Sequence, residues 1–228
     1  MCGRFTLRLP PQELQSFFDL VRVDEYKPRY NIAPTQDIVA IRQSSEGRIG
    51  EMMHWGLIPH WAKDRKLAAR MINARGETVS EKPSFRESFK RKRCLIPADG
   101  FYEWKDIGAK YKQPYHITMV EEQPFAMAGL WSEWTDPDSG EAIESCTIIT
   151  TEANSLMNEL HERMPVILPP EDWGDWLSPE MPQDSREKER LESLLVPFSP
   201  DKMQYRAVSR LVSSPRNETP DCLSPAES

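Results

Sequence analysis

The chain has 228 residues, 39% of them hydrophobic and 29% charged, which is enough for one sizeable core and ordinary for a globular protein. No apolar run approaches the ~20 residues needed to cross a bilayer, and the N-terminus MCGRFTLRLP lacks the apolar stretch of a signal peptide, so a cytosolic or nucleoid location is expected. The net charge of −7 argues against a nucleic-acid partner only until it is divided: residues 1–120 carry 21 Lys and Arg against 14 Asp and Glu (+7), residues 121–228 carry 8 against 22 (−14).

In chain order, the pattern predicts a helix over 11–19, an extended segment, and then a hairpin whose strands, 37–41 and 48–55, turn at Ser45-Glu46-Gly47. The following HWGLIPHWAKD mixes aromatics with Gly and Pro and reads as a loop, a place where binding residues often sit. A helix is expected from about Ser80 to Lys92, with Phe85 and Phe89 forming its apolar face. Its other face belongs to a basic stripe: residues 63–93 hold eleven Lys and Arg against four acids, a distribution that can track phosphates or merely be solvated.

Short strand candidates follow at 93–97, 100–105, 112–120, 124–131 and 143–151, separated by Gly, Pro or Asp-rich turns. Helices are expected at 153–160, 170–177 and 185–195, with a strand at 203–209. This order predicts an α+β single domain, residues 1–217, built on a strongly curved, mostly antiparallel, barrel-like sheet with flanking helices. Residues 218–228, rich in Ser, Pro and acids, are expected to form a disordered acidic tail.

Cys2, Cys94, Cys146 and Cys222 stand far apart with no C-x-x-C, and His54, His60, His116 and His161 show no i, i+4 pair. Reduced thiols are expected, and neither a metal nor another cofactor. Cys2 has a chemistry of its own. Removal of Met1 would leave an α-amine and a thiol on one residue, titrating at about 7.7–8.0 and about 8.5 in free peptides. Such a 1,2-aminothiol condenses with an aldehyde to an imine, and its sulfur then closes the ring to a thiazolidine. A small residue after Met1 also simply permits trimming.

Four stretches combine unusual composition with the groups this chemistry needs: Met1-Cys2-Gly3-Arg4-Phe5, Ile72-Asn73-Ala74-Arg75-Gly76-Glu77, Gly100-Phe101-Tyr102-Glu103-Trp104-Lys105 and His161-Glu162-Arg163-Met164-Pro165. With Arg29-Tyr30-Asn31-Ile32-Ala33-Pro34-Thr35, His54-Trp55-Gly56-Leu57-Ile58-Pro59, Pro97-Ala98-Asp99-Gly100 and Val208-Ser209-Arg210, they make the chain resemble the SRAP (SOS-response-associated peptidase) family, whose members crosslink to abasic sites in DNA. The resemblance implies that Cys2 is the crosslinking nucleophile, Asn73 a polar orienting group, and Glu103 and His161 acid/base groups. It further implies DNA contacts from Arg4, Arg75 and Arg163 to phosphates, and from Trp55, Trp61 and Pro34 to splayed bases.

The residues agree with that assignment. Imine formation needs an acid to protonate the departing water, and the aromatic neighbours of Glu103 could desolvate it enough to raise its pKa. The expected partner is single-stranded or junction DNA carrying an abasic site, bound by a monomer, because a duplex would hide the aldehyde. Two other functions stay open on sequence alone: a thiol peptidase using Cys2, and a noncatalytic single-stranded nucleic-acid binding module.

Overall fold

The computed structural model describes residues 2–180, 182 and 184–226. Met1, whose removal the aminothiol chemistry requires, lies outside them. The strand β1 (Phe5–Leu7) leads into helix α1 (Pro11–Phe18), which buries Leu14 and Phe18 at i, i+4 and ends where Asp19 turns left-handed at φ 53°. The strands β2 (Leu20–Val23), β3 (Arg29–Ile32), β4 (Asp37–Gln43) and β5 (Arg48–Trp55) follow, the last two forming the expected hairpin around Gly47 at φ 138°. After a loop and a 3-10 turn come β6 (Asn73–Arg75), helix α2 (Arg86–Arg91), β7 (Arg93–Ala98), β8 (Gly100–Lys105) and β9 (Gln113–Met119). The long hairpin β10 (Phe125–Thr135) and β11 (Ala142–Glu152) precedes β12 (Arg163–Pro165), β13 (Ile167–Leu168), α3 (Trp173–Leu177), α4 (Ser185–Ser193) and β14 (Met203–Ala207).

The fold is α+β with a barrel-like core. The ladders run β11-β10-β7-β4-β5 and return from β5 to β11 through a parallel pairing, Ser145 opposite His54 and Cys146 opposite Trp55, so this sheet closes on itself. Every residue of β7 is buried, as a strand with protein on both faces requires. The strands β6 and β12 attach to β11, β13 to β10, and β2 to β5. A second sheet, in the order β14-β9-β8-β1-β3, holds the N-terminal strand β1 between β8 and the edge strand β3. Among the described residues no helix is long and apolar enough to cross a membrane.

Three expectations are corrected. The helix expected over 80–92 is helical only from Arg86, because Pro83 has no N–H to donate and biases Lys82 away from helical geometry. Phe85 and Phe89 are nonetheless buried on one face. The helix expected at 153–160 is a single 3-10 turn, Met157–Glu159, whose first N–H is taken by Asn154 Oδ1 at 2.8 Å. The acidic tail is packed on the second sheet through Ala226: Glu218 binds β3, Cys222 is fully buried, and Pro225 bridges Val208. Glu218 is paired with Arg29, a partner that composition alone does not reveal.

Candidate active site at the seam of two sheets

β8 lies antiparallel to β1, Phe5 opposite Phe101 and Thr6 opposite Gly100, and Tyr102 N–H donates to the Arg4 carbonyl at 2.9 Å. The register is reinforced from outside. Buried Asp99 accepts from the Thr6 hydroxyl and the Arg8 N–H, both at 2.5 Å, and Thr6 lies 3.2 Å from His116 Nε2. Gly100 is required there, because a Cβ would lie 2.1 Å from that same His116 nitrogen. Strand alternation then turns Phe101 and Glu103 to one face and Tyr102 to the other, where it packs with Val208, Val212 and Cys222.

That register brings Cys2 beside Glu103. Cys2 is fully buried, and burial, with the Glu103 carboxylate nearby, pushes its thiol up to about 12. Glu103 is only 4% exposed, and desolvation raises its carboxyl to about 7, opposed by the positive charge of the chain's amino terminus. A carboxyl so placed is partly protonated at neutral pH and can give or take a proton there.

The other wall comes from the neighbours of β11. Parallel pairing with β11 sets Asn73 opposite Ile148, from where its Nδ2 donates to the Cys2 carbonyl at 2.9 Å. Asn73 Oδ1 is buried and accepts no hydrogen bond among the described residues. His161 precedes β12, and its Nδ1 accepts the Arg163 N–H at 3.0 Å. Desolvation, assisted by the amino-terminal charge, lowers the His161 pKa, so the ring is neutral at pH 7 and carries its proton on Nε2. Asn73 is thus tied to Cys2 by a hydrogen bond and Glu103 by charge, while His161 feels the same Lys112 charge that acts on Glu103.

The expected DNA contacts divide. Trp61 is half exposed, Arg75 is exposed and Pro34 is partly buried. Trp55 is fully buried, edge-on to Phe5 at 5.2 Å, with its N–H on the Ile72 carbonyl; it is a core residue and presents no stacking face. Arg4 and Arg163 have internal partners. Arg4 Nη1 donates to Asn31 Oδ1 at 2.7 Å and to the Val212 carbonyl at 2.8 Å, and Arg163 forms a two-pronged pair with Glu77 while donating to the Thr150 carbonyl at 2.7 Å. Sequence reasoning missed Asp99, Thr6 and His116 as the frame behind Cys2, although the Pro97-Ala98-Asp99-Gly100 stretch carried the signal. It also missed Lys112, whose charge reaches both Glu103 and His161.

Fold and site together define an α+β protein with a buried thiol near its N-terminus beside a carboxyl of raised pKa and an amide that holds its carbonyl. Residues 1–215 match the family described as SOS response associated peptidase (SRAP), and the chain belongs to that family. It is 46% identical over 230 residues to the abasic site processing protein YoqW of Bacillus subtilis (strain 168), covering 98% of this chain and 99% of that protein. To the abasic site processing protein HMCES of Xenopus tropicalis it is 33% identical over 234 residues, covering 88% of this chain and 67% of that protein. A crystal structure of a Bacteroides thetaiotaomicron protein superposes with a TM-score of 0.86 at 30% identity, covering 99% of this chain and 100% of that one.

Proposed function

We propose that the protein binds single-stranded DNA at abasic sites and, after loss of Met1, captures the open-chain aldehyde covalently as a thiazolidine on Cys2. The α-amine adds to the aldehyde carbon, and protonated Glu103 gives its proton to the departing hydroxyl, which leaves as water. The iminium returns a proton to the Glu103 carboxylate, and the Cys2 thiol then adds to the imine carbon while its proton passes to the nitrogen. The net change is one new C–N bond, one new C–S bond and one water released. Amine, thiol and carboxyl suffice, so no metal or cofactor is needed.

Asn73 holds the Cys2 carbonyl, and its buried Oδ1 is an acceptor suited to the amine N–H. His161 offers Nε2–H to the deoxyribose oxygens as the ring opens. Ring closure by sulfur removes the iminium that would drive β-elimination, and the strand stays intact. Trp61 and Arg75, with the partly buried Pro34, are the contacts for the strand. All four central groups come from one chain, and the protein acts as a monomer at DNA in the cytosol or nucleoid.

The observation that carries this reading is the convergence on Cys2 of Asn73 and of Glu103, whose carboxyl titrates at about 7. A peptidase acting through the Cys2 thiolate is disfavoured, since burial moves the thiol toward about 12, away from the thiolate such a nucleophile requires. The test is denaturing electrophoresis of the protein with a single-stranded oligonucleotide carrying one abasic site, beside an intact oligonucleotide and Cys2→Ala. A heat-stable shifted band confined to wild type with the lesion supports the proposal. No band from protein shown by mass to lack Met1 refutes it.

A further inference from the structure

The segment after β14 crosses the outer side of the second sheet and touches both strands that bring Cys2 and Glu103 together. Its anchor is Glu218, beyond the residues matched by the family. Strand β3 is the edge of that sheet, and Glu218 Oε1 accepts two of its main-chain N–H groups, from Tyr30 at 2.6 Å and Asn31 at 2.8 Å. Its Oε2 accepts from Arg29 Nη2 at 2.7 Å and Nε at 3.1 Å.

The next link runs inward. Asn31 is fully buried; its Nδ2 donates to the carbonyls of Ser214 and Asn217, and its Oδ1 accepts from Arg4 Nη1. Arg4 stands two residues from Cys2 and also donates to Val212 O. On the adjoining strand, Trp104, next to Glu103, donates from Nε1 to Ser213 Oγ at 3.1 Å, and the Tyr102 hydroxyl donates to the Tyr30 carbonyl at 2.7 Å. The segment thus grips the strand of the nucleophile and the strand of the acid at once.

We infer that Glu218 is a positioning residue for the reaction at the N-terminus: by pinning β3 and Asn31 it fixes Arg4, and through Arg4 the place of Cys2 against Glu103. This rests on the reading of Cys2 and Glu103 as the reacting pair. A carboxylate matters here because one group must satisfy two main-chain N–H groups and a guanidinium. Glutamine keeps an oxygen for the N–H groups and loses the ion pair, whereas alanine loses both.

The experiment compares wild type, Glu218→Gln and Glu218→Ala as full chains verified by mass to lack Met1. It measures the rate of adduct formation with a single-stranded abasic oligonucleotide between about pH 5.5 and 8.5, affinity for the intact oligonucleotide, and alkylation of Cys2 by iodoacetamide read on the N-terminal peptide. Glu218→Ala is expected to slow the adduct roughly tenfold or more, to move the midpoint of the pH profile, and to speed Cys2 alkylation, with affinity within about twofold of wild type. Glu218→Gln is expected to recover most of the rate. Wild-type rate, midpoint and alkylation in Glu218→Ala would overturn the inference, as would a loss of rate that only follows a loss of affinity. If wild type forms no adduct, the proposed function falls, and Cys2 alkylation in the variants alone decides the role of Glu218.

Discussion

On the wall supplied by the second sheet, Cys2 and Glu103 are 0% and 4% exposed, whereas on the wall supplied by the neighbours of β11, Asn73 and His161 are only partly buried. Burial on the first wall alters acidity: it keeps the thiol protonated and leaves the carboxyl poised near neutrality. The second wall orients without storing charge, through a neutral amide and a neutral imidazole whose Nδ1 is already occupied. Under the proposed function, reactivity belongs to the closed wall and access to the more open one.

The comparison breaks most sharply at Cys2. Cys2→Ala should form no heat-stable adduct at all, and Cys2→Ser, which keeps the amine and lacks the sulfur, should accumulate at least about a hundredfold less, read on denaturing gels. Glu103→Gln should slow adduct formation by about 10²–10³. The wild-type rate should rise with pH as the α-amine deprotonates and fall again at higher pH as the acid form of Glu103 is lost, and the variant should lack that falling limb.

The same residue makes a stability prediction of definite sign. Its folded pKa is raised, so the native state holds the extra proton. The stability this gives is complete below the unfolded value near 4.5 and is lost as pH rises through about 7. Above pH 7, Glu103→Gln should melt higher than wild type, by on the order of 2–3 kcal/mol.

Two tryptophans test the division between interior and contact surface. Trp55→Ala removes a fully buried ring and should cost about 3–5 kcal/mol in urea unfolding. Trp61→Ala should leave the unfolding midpoint unchanged and weaken oligonucleotide binding by about 1–3 kcal/mol. The smallest effect is expected at exposed Arg75: Arg75→Ala should lower the slope of log affinity against log salt by about one, uniformly across sequences.

The sequence made the architecture legible where periodicity was strong. The hairpin of β4 and β5, the amphipathic α1 and the strands β7 to β11 all stand where alternation and turn residues put them. Closure of the barrel was less legible, because the parallel contact of Cys146 with Trp55 joins residues far apart in sequence and leaves no local pattern. Trp55 and Trp61 show the same limit: both fall in the stretch read as a loop, whereas Trp55 ends β5. Both are aromatic with a Gly or Pro within two residues, yet Trp55 is held inside, its N–H on the Ile72 carbonyl. The tail failed for a related reason: Glu218 counts as one more acid in composition, and only tertiary structure supplies Arg29 and two N–H groups to receive it.

The central claim is that both the amine and the sulfur of Cys2 end up bonded to the sugar carbon. The most direct test treats the adduct with iodoacetamide, digests protein and DNA, and weighs the N-terminal peptide. The account predicts a peptide beginning at Cys2, heavier by the sugar remnant less one water, with no carbamidomethyl group on Cys2 and no change on borohydride treatment. A peptide whose Cys2 is alkylated, or whose adduct gains two hydrogens from borohydride, would mean an open imine and would contradict it.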